Sequence, residues 1–196
     1  MSVHAVIDLE TTSLDPANGR ILSIGVACQE IDKHGQAHGK VATVEIPVMV
    51  DDIFNHADQD DPDTMAWWYE LEGSGDKGVT AYAMAHFPGN QLHIEDALHR
   101  LNAFMKENKV RYVYGNGPDF DIAFLSRYYN LCGIEKKWYY YHVRDVRTLL
   151  HAAGIDKRKV PFPEHLCPHV AHHDAMHELD LVAQAWATLR GGGKDA

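Results

Sequence analysis

Cysteine is scarce in this chain, and the three present (Cys28, Cys132 and Cys167) are odd in number and far apart. A disulfide framework is therefore not expected, and a reducing cytoplasmic compartment is. No apolar run approaches the roughly 20 residues needed to cross a bilayer, so no membrane association is expected. The start, Met1-Ser2-Val3-His4, lacks the basic and apolar stretches of a signal peptide. Basic residues are also in short supply: 18 Lys and Arg face 28 Asp and Glu, a formal net charge of −10. That balance excludes a protein that coats nucleic acid through a broad basic face. It leaves room for one that grips a few terminal nucleotides through metal ions. No internal repeat and no linker divides the 196 residues. One domain over 1–190 with a frayed tail over 191–196 is expected.

What is present is hydrophobic patterning of two kinds. Val3–Leu9, Ile21–Cys28 and Val41–Val50 read as three consecutive antiparallel strands, the third ending near Pro47. The six aspartates between Asp51 and Asp63 read as a solvated loop, with an additional metal site as the alternative. A helix is expected from Pro62, and a mobile glycine-rich stretch from Gly73 to Gly78. Ile94, Ala97, Leu98, Leu101, Phe104 and Met105 form one stripe of an amphipathic helix. Arg111–Tyr114 is a short strand, Gly115-Asn116-Gly117 a turn, and Pro118 suits the first position of the next helix. Asp145–Ala153 reads as a helix started by a structural aspartate and closed by Gly154. The last helix runs to about Arg190, with Ala175, Leu179, Val182, Trp186 and Leu189 on one face. The class is α/β: a mixed central sheet, three antiparallel strands and then alternating helices and strands, flanked by helices.

Asp8-Leu9-Glu10 places two carboxylates on the same side of a strand end. Two such acids repel unless a cation lies between them, and oxygen donors with no thiolate nearby favour Mg²⁺ or Mn²⁺. A lone D-x-E is common, so its surroundings matter. Asp8-Leu9-Glu10-Thr11-Thr12 followed by Ile21-Leu22-Ser23-Ile24-Gly25 resembles the first motif of the DEDD exonuclease superfamily. Gly115–Leu125, with Asn116 ahead of Phe120-Asp121, resembles the second. His169-Val170-Ala171-His172-His173-Asp174-Ala175 fits the third, H-x-A-x-x-D-A, whose histidine marks the DEDDh branch. Asp63-Thr64-Met65-Ala66-Trp67-Trp68 and Asp145-Val146-Arg147-Thr148 are similar to segments of a phage and prophage group described as exoribonuclease or exonuclease VIII-like. The resemblance spans roughly residues 3 to 190.

It implies an RNase H-like fold and a two-metal 3′–5′ exonuclease acting on 3′ ends of single-stranded DNA or RNA and releasing nucleoside 5′-monophosphates. Asp8, Glu10, Asp121 and Asp174 would hold two Mg²⁺ or Mn²⁺, with Asp8 touching both, and His169 would take the proton from the attacking water. Leu9, Thr11, Asn116 and Trp68 are expected substrate contacts. Trp67 and Trp68 diverge by about 100° on a helix, so one enters the core and the other stays partly exposed. An oligoribonuclease and an inactive exonuclease-fold binding protein are the competing functions; oligomeric state is open, a homodimer included.

The third motif admits other registers, His173 with Glu178 or His173 with Asp180. Pro168 favours His169 as the residue just before the helix. The same segment holds five of the fourteen histidines and Cys167. A zinc site there would need a second Cys/His pair at ligand spacing, and the chain offers none.

Overall fold

The computed structural model describes residues 1–49 and 60–191. Its centre is a five-stranded sheet. Strands β1 (Ser2–Thr11), β2 (Ile21–Ile31) and β3 (Ala37–Pro47) form an antiparallel meander. Strand β4 (Val110–Gly115) then lies parallel to β1, and β5 (Val143–Asp145) parallel to β4, giving the order β3-β2-β1-β4-β5. The helices are α1 (Pro62–Glu72), α2 (Asp76–His86), α3 (Ile94–Glu107), α4 (Asp121–Leu131), α5 (Val146–Ala152) and α6 (Ala171–Gly191).

Side chains of β1 alternate between two apolar layers, as the pleat requires. Ala5, Ile7 and Leu9 pack with α3 and α4, whereas Val6 packs with α5 and α6. Asp8 and Glu10 share the parity of Val6 and so face the α6 side. The stripe of α3 is buried from Ile94 to Met105, with Phe104 packed against its margin. Strand β1 outruns β4, whose last partner on it is Val6. The segment carrying Asp8, Leu9 and Glu10 therefore projects past the parallel neighbour, where its backbone and side chains face the cleft.

Helices α1 and α2 form a hairpin at the end of β2, where Trp68, Tyr82 and Ala85 enclose Leu22. Asp61 caps α1, its carboxylate accepting from the Thr64 N–H at 2.7 Å. Helix α2 is clamped to the segment before α6: the Lys77 ammonium donates to the carbonyls of Glu164 and Leu166 at 3.1 and 2.8 Å. Ala81 packs there on Cys167 and Val170.

Several local expectations need correction. Part of the 73–78 stretch is helix rather than mobile loop, because Gly78 is buried in α2 where an added Cβ would lie 1.9 Å from the Leu71 carbonyl oxygen. Pro118 does not open a helix; it sits in a turn closed by the Phe120 N–H on the Gly117 carbonyl, and α4 begins at Asp121. The short strand β5 ends on Asp145, which caps α5 as expected of a helix-starting aspartate. Leu189 is exposed in the last turn of α6, beyond the reach of the sheet. Most of the acidic stretch, 51–59, and the tail, 192–196, lie outside the described residues. Asp60 is described and pairs with Arg20. Among the described residues no helix is long and apolar enough to cross a membrane.

Candidate active site

Three of the expected acids meet. One carboxylate oxygen from each of Asp8, Glu10 and Asp174 lies within 4.8 Å of the others. Asp8 and Glu10 come from the end of β1; Asp174 comes from the first turn of α6, which must approach the sheet closely to bring it there. Gly25 permits that approach. It is the register partner of Asp8 on β2, and a Cβ on it would fall 2.0 Å from the Ala171 carbonyl carbon. Glu45 of β3 completes the anchor, its Oε2 accepting from the His172 N–H at 2.9 Å at the start of α6. Neither Gly25 nor Glu45 was singled out for a role by its local sequence; an Ile-Gly pair in a strand facing a D-x-E was the available signal for the glycine.

Asp121 enters from the first residue of α4 and is buried. Its Oδ2 accepts from the Asn116 N–H at 3.2 Å, and the backbone N–H groups of Leu9 and Asp121 itself also favour its charged form. Burial outweighs them and, with Glu178, pushes its pKa up to about 7. Asp174 is raised to about 6 by burial, against the opposing effect of the His169 N–H, which donates to its Oδ2 at 2.6 Å. Asp8 and Glu10 are held well above the usual carboxylate range, first by burial and then by the other acids. Asp8 is the acid that feels Glu178, Glu10, Asp121 and Asp174 together. Lys157 offsets part of this crowding, at Glu178 and Asp174, and a divalent cation would offset the rest.

His169 stands just ahead of α6 with a left-handed φ of 60°, a conformation that a non-glycine residue seldom adopts. Burial and Lys157 lower its pKa, which favours the neutral imidazole able to accept a proton. Its ring lies edge-on to Trp67, with centroids 4.9 Å apart. The alternative registers place their residues elsewhere. Asp180 is exposed and accepts from Gln184, and the Nδ1 of His173 accepts from the Cys167 N–H at 3.0 Å. Glu178 is buried beside the acids, but its Oε1 is bound by Lys157 at 2.6 Å. The Cys167 thiol lies on the Lys77 carbonyl rather than in a histidine cluster.

Beside Glu10 opens a cavity of about 760 Å³ whose walls include Leu9, Thr11, Leu14, Trp67 and Phe120. Leu9 and Thr11 thus border it. Both tryptophans line it, but Trp68 is 1% exposed, with its indole N–H on the Thr11 carbonyl at 3.1 Å. Trp67, 40% exposed, is the more accessible ring of the pair. Asn116 is not among the walls of this cavity, and its side-chain carbonyl accepts from Arg147 Nε at 3.1 Å. Leu14 and Phe120 were missed because only the folded chain brings the loop after β1 and the turn before α4 together.

On this sheet order a D-x-E thus stands at the projecting end of the central strand, an acid opens α4, and a histidine-to-aspartate contact opens α6. The chain belongs to the family described as the 3′-5′ exoribonuclease Rv2179c-like domain, whose model matches residues 3–186. Among solved structures it is similar in fold to Escherichia coli exonuclease I in a zinc-bound complex with single-stranded DNA. That match has 13% identity and a TM-score of 0.58, covering 100% of this chain and 42% of the other. It is also similar to the nuclease domain of 3′hExo, a DEDDh family member bound to rAMP, with 15% identity, a TM-score of 0.52 and coverage of 98% and 93%. The chain thus spans about two fifths of the exonuclease I chain. No curated protein matches in sequence.

Proposed function

We propose that this chain trims single-stranded nucleic acid, RNA foremost, from its 3′ end with two Mg²⁺ or Mn²⁺, releasing nucleoside 5′-monophosphates. The observation that carries the reading is the meeting of Asp8, Glu10 and Asp174 oxygens within 4.8 Å, with Asp121 at the adjacent helix start. The donor set fits hard divalent ions: it is all carboxylate and crowded, with Glu10 buried and Asp8 and Asp174 partly so. Asp8, Glu10 and Asp174 would hold the ion on the water side, and Asp8 with Asp121 the ion on the leaving-group side. When bound, the ions would polarise the water and offset charge on both oxygens of the in-line displacement. The family description names RNA; exonuclease I and 3′hExo were solved with single-stranded DNA and rAMP respectively.

The residues of the chain do the rest. Leu9, Leu14, Phe120 and Trp67 offer apolar walls to the terminal nucleoside, and Trp67 offers a face for stacking. Thr11 lines the same cavity with a polar side chain. His169, neutral at pH 7 and steadied by Trp67 and by its backbone bond to Asp174, accepts the proton of the attacking water at an imidazole nitrogen. A reducing cytoplasm suits the three free cysteines.

The test is digestion of single strands labelled at either end, DNA beside RNA, with Mg²⁺, Mn²⁺ or chelator. The expected result is a ladder shortening from the 3′ end, 5′-monophosphate products and no activity in chelator. Cleavage of circular single strands, or full activity in chelator, would reject the reading.

A further inference from the structure

A second cleft, of about 640 Å³, shares no wall residue with the aromatic cavity. Its walls are the Asn116 turn after β4, helix α5, and the 3₁₀ turn Lys157–Lys159. Arg147 and His151, one turn apart on α5, share a face of that helix. Lys157 and Arg158 approach from the turn. A chain of net charge −10 thus gathers three of its 18 basic side chains around one concavity.

Two residues join this cleft to the acids. Asn116 lines it while donating its backbone N–H to Asp121, and Lys157 lines it while binding buried Glu178. The charges are not equally engaged. Lys157 is spent on Glu178, and Arg158 is paired with Asp156 at 3.0 Å, although its side chain remains 89% exposed. Arg147 hydrogen-bonds a neutral partner, the Asn116 side-chain carbonyl, while its charge favours ionised Glu178. Among the described residues its two terminal nitrogens have no hydrogen-bond acceptor. The fork that remains suits an oxygen anion such as phosphate. The two concavities therefore differ in what they offer a strand: aromatic rings beside Glu10, and cationic side chains, with Leu150 and Ile155 among them, beside the Asn116 turn.

We propose that this cleft binds the phosphodiester backbone of the substrate strand on the 5′ side of the scissile bond, with Arg147 and Arg158 as its phosphate contacts. The inference rests on the exonuclease reading, which assigns the acids but leaves the path of the strand open. The path explains how an acidic protein holds a polyanion: local cations act where the strand leaves the acids, and no broad basic face is required. Arg147 is held in place by Asn116, which gives that asparagine a role in aiming a phosphate contact.

The experiment compares wild type with the Arg147→Gln/Arg158→Gln double variant and an Arg147→Lys/Arg158→Lys control. Two substrates are used: a nucleoside 5′-monophosphate p-nitrophenyl ester, too short to reach the cleft, and a single-stranded RNA octamer. The glutamine variant should hydrolyse the ester within about twofold of wild type and lose on the order of tenfold in kcat/KM on the octamer. Its octamer Kd, measured in chelator, should depend less on salt, the log–log slope falling by about 1.4 for two lost phosphate contacts. The lysine control should retain most of the slope. Equal octamer binding and an unchanged salt slope in the glutamine variant would overturn the cleft while leaving the nuclease reading intact. An equal loss on the ester would also overturn it, by placing the arginines at the reacting phosphate. A wild-type protein inert on both substrates would reject the nuclease reading and the cleft with it.

Discussion

At the scale of single residues the decisive feature is that the four expected acids reach the cleft by three separate routes. Asp8 and Glu10 arrive by strand parity, Asp121 by a helix start, and Asp174 by a helix that reaches the sheet at Gly25. Removing one therefore removes a ligand without dismantling a shared scaffold. Asp174→Asn should abolish turnover while the protein stays folded. His169→Ala should cost roughly 10²- to 10⁴-fold in kcat. His173→Ala and Asp180→Asn should stay near wild type, because one is tied to Cys167 and the other faces solvent. Steady-state rates on a labelled strand check all four; a dead His173 variant beside an active His169 variant would move the base downstream.

At the scale of elements, α6 and β2 must lie almost backbone to backbone at Gly25. Gly25→Ala inserts a Cβ where there is no flexible side chain to yield, only the Ala171–His172 peptide. Overpacking of this kind costs about 1–3 kcal/mol, and it would shift α6 together with Asp174. The expected outcome is a Tm lowered by several degrees and a kcat reduced more than tenfold, with KM little changed. Thermal denaturation and steady-state kinetics read both; a variant with native kcat would show that α6 need not sit so close. The elements differ in how legible they were from sequence. β1, β2 and α3 announce themselves because their apolar periodicity reflects burial on one or both faces. α2 does not: Gly75 and Gly78 carry turn chemistry, and Gly78 is helical only because α1 supplies a backbone to pack on. β5 is three residues long and exists through pairing with β4. Of the candidate site, the four acids and His169 were legible because motif spacing is local. Which tryptophan is the buried one was not, since a tryptophan pair fixes the divergence of two rings but not which one finds Leu22.

At the scale of the whole molecule, the buried acids tie stability to pH and to metal. Asp121 and Asp174 have pKa values raised to about 7 and about 6. A group whose folded pKa is raised contributes stability present below its unfolded value and lost as pH rises through the folded one. The metal-free protein should therefore melt several degrees lower at pH 8 than at pH 6, and Mg²⁺ should remove most of that difference. His4 runs the other way: burial lowers its pKa to about 4, so its contribution is present above about pH 6.5 and is lost as pH falls toward 4. Stability without metal should accordingly peak in mildly acidic solution. Melting curves across pH, with and without Mg²⁺, test this; a metal-free Tm that rises steadily from pH 6 to pH 8 would show that the acids are not crowded. The central claim is that these carboxylates hold two divalent ions with Asp8 between them, and calorimetric titration of the metal-free protein with Mn²⁺ tests it most directly. Two ions per chain for wild type, with binding lost or severely weakened at both sites in Asp8→Asn, is the predicted result. A single ion per chain, or an Asp8→Asn variant that binds Mn²⁺ as wild type does, would contradict it.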